Sequence, residues 1–163
     1  MLCFCYSYLD TTREKGLKRS FESTNRMKKI IHLEDNLQWQ EVVRASLMLN
    51  TDIEPVITYG SIEDFRKANY PSADLYVCDR HLPDKPEQHP NDHSWRQLID
   101  TINCLHPGMN LPLVILSSHP PRNWRSYGNV VAALQKPSNV EEFDFQEFRD
   151  KIEYYLGLNR GEK

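Results

Sequence analysis

From Lys28 onward, short and nearly continuous apolar runs alternate with amphipathic stretches. The apolar runs predict strands over residues 29–33, 54–58, 75–78, 113–116 and 130–134. Unbroken hydrophobicity over four or five residues is the pattern of a parallel strand covered on both faces, since neither face is left for polar side chains. Between the strands, Trp39, Val42, Val43 and Leu47 fall on one helical stripe, and Ile62, Phe65 and Ala68 on a second. Ser61-Ile62-Glu63-Asp64 resembles a capping box at the start of that second helix. A third helix carries Trp95, Leu98, Ile99, Ile102 and Leu105, opened by Ser94 with Gln97 three residues later and stopped by Pro107-Gly108. Phe145, Phe148, Ile152 and Tyr155 mark the last helix. Residues 119–129, full of Pro, Arg, Asn and Gly, give the weakest helical pattern of the five. Five β-α units in about 130 residues predict a doubly wound α/β domain with a parallel sheet.

At 163 residues, 39% hydrophobic and 26% charged, the chain fits one globular domain with a tail. A net charge of -3 and a pI near 6.1 provide no overall basic field for nucleic acid. The charge is unevenly placed. Residues 1–26 hold five Lys/Arg and three Asp/Glu, for +2, whereas the rest holds fifteen and twenty, for -5. This division predicts an N-terminal extension over 1–26 that lacks the means to form a core, a domain over 27–158 and a tail over 159–163. No apolar run approaches the ~20 residues of a membrane-spanning helix. Met1 to Leu9 has no leading positive charge and no small-residue cleavage site, so a signal peptide is not expected. Cys3, Cys5, Cys78 and Cys104 match neither a zinc site nor a disulfide framework, which suits a reducing, cytoplasmic setting.

In an open parallel sheet, ligands bind beyond the carboxyl ends of the strands. The first strand runs into Glu34-Asp35, the third into Asp79, the fourth into Ser117-Ser118 and the fifth into Lys136-Pro137. Taken singly, each such residue reads as a helix cap. Together they bring three carboxylates, a hydroxyl and an ammonium to one rim. Clustered carboxylates repel unless a cation holds them, and hard oxygen ligands select Mg²⁺, which readily takes a phosphate oxygen. A lysine and a serine opposite them suit an anionic phosphoryl group. The set describes phosphoryl transfer by positioning and charge neutralisation.

The motifs Ile31-His32-Leu33-Glu34-Asp35-Asn36, Leu75-Tyr76-Val77-Cys78-Asp79-Arg80-His81-Leu82-Pro83, Leu113-Val114-Ile115-Leu116-Ser117-Ser118 and Leu134-Gln135-Lys136-Pro137 stand in this order. In this set the chain resembles the receiver domains of two-component response regulators. The resemblance implies the flavodoxin-like strand order 2-1-3-4-5. It also implies that Asp79 accepts a phosphoryl group from a sensor histidine kinase or phosphotransfer protein. By the same resemblance Asp35 and Asp79 ligate Mg²⁺ directly, Glu34 acts through water, the His81 backbone carbonyl adds a ligand, and Ser117 and Lys136 contact the phosphoryl group.

Two features depart from the family pattern. The loop from Asp84 to His93 is long, with Pro86, Pro90, His89 and His93. With His81 and His119 it offers imidazoles to a transition metal as an alternative to solvated loop histidines. Ala133 stands where the family usually has an aromatic or other large switch residue. Glycine-rich nucleotide motifs and a G-x-S-x-G elbow are absent. Arg122-Asn123-Trp124-Arg125 is too short to carry nucleic-acid binding alone. The expectation is a stand-alone receiver whose output is contact with a downstream protein, with no nucleic-acid or membrane partner and no enzymatic activity beyond slow autodephosphorylation. The alternatives are a receiver-like docking module that works without phosphate and a small Mg²⁺-dependent phosphohydrolase using Asp79 as nucleophile.

Overall fold

The computed structural model describes residues 26–89, 94–106 and 111–158. The predicted extension over residues 1–26, apart from Arg26, the helix stop at Pro107-Gly108 and the C-terminal tail lie outside these. Five strands, β1 (Ile30–Leu33), β2 (Ile57–Tyr59), β3 (Leu75–Cys78), β4 (Leu113–Ser117) and β5 (Val130–Gln135), form one sheet in the order β2-β1-β3-β4-β5. Every neighbouring pair is parallel. The helices are α1 (Leu37–Leu47), α2 (Ile62–Lys67), α3 (Ser94–Leu105) and α4 (Phe145–Leu156).

All four residues of β1 and of β3 are buried, as are all five of β4, as their unbroken apolar runs require. Alternation along each strand divides the core into two layers. Ile30, Leu75, Val77, Val114 and Leu116 pack with Trp39, Val42 and Val43 of α1 and Phe148, Ile152 and Leu156 of α4. Ile31, Leu33, Tyr76, Cys78, Leu113 and Ile115 pack with Phe65 of α2 and Trp95, Leu98, Ile99 and Ile102 of α3. Helices α1 and α4 are also tied by polar contacts. Arg149 Nε donates to Ser46 O at 3.0 Å, and Asn50 Nδ2 to Glu153 Oε1 at 2.6 Å. Asp144 caps α4 by accepting from Glu147 N at 2.8 Å, and Gly157 ends it at φ 68°, a conformation glycine adopts without side-chain strain.

Two sequence expectations fail here. The second strand begins at Ile57 rather than residue 54. A bridge joins Lys28 to Ile53, and the ladder resumes at Ile31 with Ile57, so four steps on one strand match three on the other. Pro55 lies within the extra step, where its missing N–H withdraws a ladder donor. The fourth helix is absent. Residues 119–129 form only a 3₁₀ turn over Trp124–Ser126, whose leading Asn123 makes no side-chain cap. Pro120-Pro121 before it and Gly128 after it disfavour a longer helix. Tyr127 packs instead against Trp95, ring centroids 4.9 Å apart. At the margins of the predicted stripes, Leu105 and Phe145 are exposed and Ala68 ends α2 outside the core.

Candidate functional site

Glu34, Asp79 and Lys136 are the residues immediately after β1, β3 and β5, and Ser117 ends β4. The parallel register carries all four to one edge of the sheet. The turn after β1 is fixed by the backbone. Glu34 N–H donates to Tyr59 O at 3.0 Å, Glu34 O accepts from Gln40 Nε2 at 2.7 Å, and Asn36 caps α1 by accepting from Gln38 N at 2.9 Å. Asp79 N–H donates to Leu33 O at 2.9 Å, and Lys136 N–H to Ser117 O at 2.9 Å. These bonds extend the ladder by one step and aim the side chains across the rim.

Lys136 is the centre of the arrangement. Its ammonium donates to Asp79 Oδ2 at 2.8 Å and to Glu34 Oε2, and it lies 5.5 Å from the centroid of the Trp39 ring. The other oxygen of each carboxylate is held by backbone: Asn36 N–H donates to Glu34 Oε1 at 3.2 Å, and His81 N–H to Asp79 Oδ1 at 3.2 Å. Glu34 is wholly buried and Lys136 only 5% exposed, so these charges are largely removed from water. Burial pushes the Glu34 carboxyl up to about 7, against the opposing pull of Lys136. Asp35 is the outermost of the three acids. Partial desolvation, with a smaller repulsion from Asp79, raises its pKa. The Cys78 thiol donates to Asp79 O at 3.1 Å, and burial beside the acids pushes its pKa well above the ordinary range, so it stays a neutral donor.

Glu34, Asp35 and Asp79 can place one carboxylate oxygen each within 4.8 Å of one another. That spacing and the all-oxygen donor set fit a hard divalent cation such as Mg²⁺. Among the described residues no other group of His, Cys, Asp or Glu converges in this way, and the imidazoles of His81, His89 and His119 do not come together; His93 lies outside them. Ser117 is fully buried, its hydroxyl 3.4 Å from His119 N–H. Ala133 pairs with Ile115 and is half-buried on the α3 side of the sheet. Two clefts open beside the rim. One of about 680 Å³ runs past Lys136 to Glu142 and Lys151, and one of about 510 Å³ lies among Arg80, Arg96, His119 and Arg122. The three acids line neither, since Lys136 occupies the space between two of them.

Sequence reasoning missed His32. It is wholly buried on β1, its Nε2 lies 3.8 Å from Glu34 Oε2, and burial together with the Lys136 charge lowers its pKa to about 3, so it is a neutral imidazole. Its signal was a lone polar residue inside an otherwise apolar strand.

No protein-family model matches the sequence, and no curated protein is significantly similar to it. Solved structures are similar in fold. The phosphorylated cyanobacterial phytochrome response regulator RcpA is 23% identical with a TM-score of 0.62, covering 80% of this chain and 94% of its own. The response regulator TrrA of Thermotoga maritima, solved with Mg²⁺ and BeF, is 18% identical with a TM-score of 0.58, covering 79% and 99%. The receiver domain of a sensor histidine kinase from Pseudomonas aeruginosa, with magnesium coordinated in its active-site cleft, is 20% identical with a TM-score of 0.58, covering 80% and 98%. The strand order agrees with what the motifs imply, and the chain has the flavodoxin-like fold of response-regulator receiver domains.

Proposed function

We propose that the chain is a receiver that takes a phosphoryl group on Asp79 from the phosphohistidine of a sensor kinase or phosphotransfer protein. The observation that carries this is the Lys136 ammonium held between Glu34 and Asp79, with Asp35 within ligand distance of both acids. A carboxylate oxygen of Asp79 attacks phosphorus, the P–N bond to the donor imidazole breaks, and its electron pair stays on that nitrogen. Lys136 turns from Asp79 to the developing charge on the phosphoryl oxygens, and Ser117 donates a hydrogen bond to another. Asp35 and Asp79 would hold Mg²⁺ directly, Glu34 through water and His81 through its carbonyl. Such an ion neutralises charge on the acids and the phosphoryl group. The acyl phosphate is lost by slow attack of water, so the chain is a switch rather than a turnover enzyme. Its output is contact with a downstream protein in the cytoplasm, without nucleic-acid or membrane partners. Among the described residues no helix is long and apolar enough to cross a membrane.

The test is intact-protein mass after incubation with acetyl phosphate and Mg²⁺. One phosphoryl adduct per chain is expected, lost without Mg²⁺ and in Asp79→Asn. Undiminished labelling of that variant would sink the assignment. Ala133 favours a second reading, a docking module that works without phosphate, because alanine has no rotamer with which to report the site. That reading expects no adduct and partner binding unaltered in Asp79→Asn. Sustained turnover of a small phosphoester would point instead to a phosphohydrolase.

A further inference from the structure

β1 carries one imidazole, and no step of the phosphoryl chemistry uses it. His32 is wholly buried, and neither ring nitrogen has a hydrogen-bond partner. Buried polar atoms are nearly always paired, and an orphan inside a strand of Ile and Leu calls for a reason. Strand alternation places His32 on the same face as Glu34, two residues on. Its Nε2 stands 3.8 Å from Glu34 Oε2, too far for a hydrogen bond in this state and near enough for a small side-chain turn to make one.

The two oxygens of Glu34 explain when that bond is needed. Oε1 is held by Asn36 N–H, a backbone contact independent of the site's state. Oε2 is held by Lys136, which also holds Asp79 Oδ2. A phosphoryl group on Asp79 claims that ammonium, and Glu34 Oε2 then loses its side-chain donor. Among the described residues the side chain next in line is His32.

We propose that His32 is a positioning residue for the phosphorylated state: its imidazole donates Nε2–H to Glu34 Oε2 when Lys136 turns to the phosphoryl group, and so keeps the Glu34 carboxylate aimed at the cation position. It touches neither the cation nor the phosphoryl group. The inference rests on the receiver reading and deepens it.

The test uses the full chain, ¹⁵N-labelled, with Mg²⁺ alone and with Mg²⁺ and beryllofluoride, and assigns the His32 ring signals by their loss in His32→Phe. The Nε2-bound proton is expected to move to a hydrogen-bonded position only when beryllofluoride is present. Beryllofluoride–Mg²⁺ binding is expected to weaken about tenfold in His32→Phe, the usual scale for losing a hydrogen bond to a ligand-bearing side chain, and to recover largely in His32→Gln, whose amide also donates. Unchanged ring signals in a chain that binds beryllofluoride overturn the proposal and leave the receiver reading standing. So does equal binding by the Phe variant. If that variant does not fold, His32→Gln supplies the assignment and the ring signals of the unaltered chain decide. A chain that binds no beryllofluoride at all overturns the receiver reading and this inference with it.

Discussion

Replacing Lys136 with methionine removes the ammonium between Glu34 and Asp79 while keeping a side chain of similar length. Glu34 is wholly buried and Asp79 9% exposed, so neither carboxylate recovers much water. Breaking a buried pair by deleting one partner costs about 3–5 kcal/mol. The cost depends on pH because Glu34 can escape it by taking a proton. In the unaltered chain burial lifts Glu34 from 4.5 to about 7. A folded pKa above the unfolded one means that stability is full below pH 4.5 and is lost as pH rises through 7, by about 3 kcal/mol in all at roughly 1.4 kcal/mol per pH unit. Lys136 is the group that pulls this pKa down. Without it the folded pKa climbs further, and the loss continues where the unaltered chain has levelled off. The deficit of Lys136→Met is therefore smallest near pH 5.5, where Glu34 is protonated in both proteins, and larger by about 1–2 kcal/mol near pH 8.5. Urea unfolding of both proteins at the two pH values measures it, followed by the fluorescence of Trp39 beside the substituted position. A deficit equal at both pH values, or below about 1 kcal/mol at pH 8.5, would refute the reasoning.

Mg²⁺ should raise the unfolding free energy of EDTA-stripped protein by about 1–3 kcal/mol at saturation, and more at pH 8 than at pH 6, because Glu34, raised to about 7, must lose its proton to bind it; a melting temperature insensitive to millimolar Mg²⁺ at pH 8 contradicts the cation site. Ser61→Ala should cost about 1 kcal/mol in chemical denaturation, since Ser61 Oγ accepts from Asp64 N at 3.1 Å and donates to Asp64 Oδ2 at 2.8 Å; no measurable loss means the cap contributes nothing. Amide hydrogen exchange with beryllofluoride and Mg²⁺ should change chiefly in residues 80–89 and 118–128, because Ala133 has no ring to relocate. A dominant change in β5 and α4 contradicts this.

The fold was legible where burial left one choice. β1, β3 and β4 are covered on both faces, so each reads as an apolar run within one residue of its observed ends. β2 is an edge strand with exposed or half-buried residues, and Pro55 moved its start three residues along. The missing fourth helix was foreshadowed by the proline, asparagine and glycine of 119–129, but the parallel β-α rhythm argued for a helix there. The strand-end rule brought Glu34, Asp35, Asp79, Ser117 and Lys136 to one rim because it needs only the strand order and the last residue of each strand. It does not say which charges pair. Repulsion among the acids pointed to a metal, whereas Lys136 already pairs with two of them from 102 and 57 positions away. His32 escaped notice because its partner emerges only when the strand is placed beside that lysine.

The position of Lys136 at the end of the last strand has a consequence for how the chain folds. Glu34 and Asp79 follow the adjacent inner strands β1 and β3, and their ammonium partner enters only with β5 at the far edge. A partly assembled sheet of β1, β2 and β3 therefore encloses two acids without their counter-charge, and must either admit water or hold a proton on Glu34. Docking of β5 relieves part of that penalty in one step. The centre of the sheet thus becomes stable only when its edge is in place, and partial structures are disfavoured by charge as well as by missing contacts.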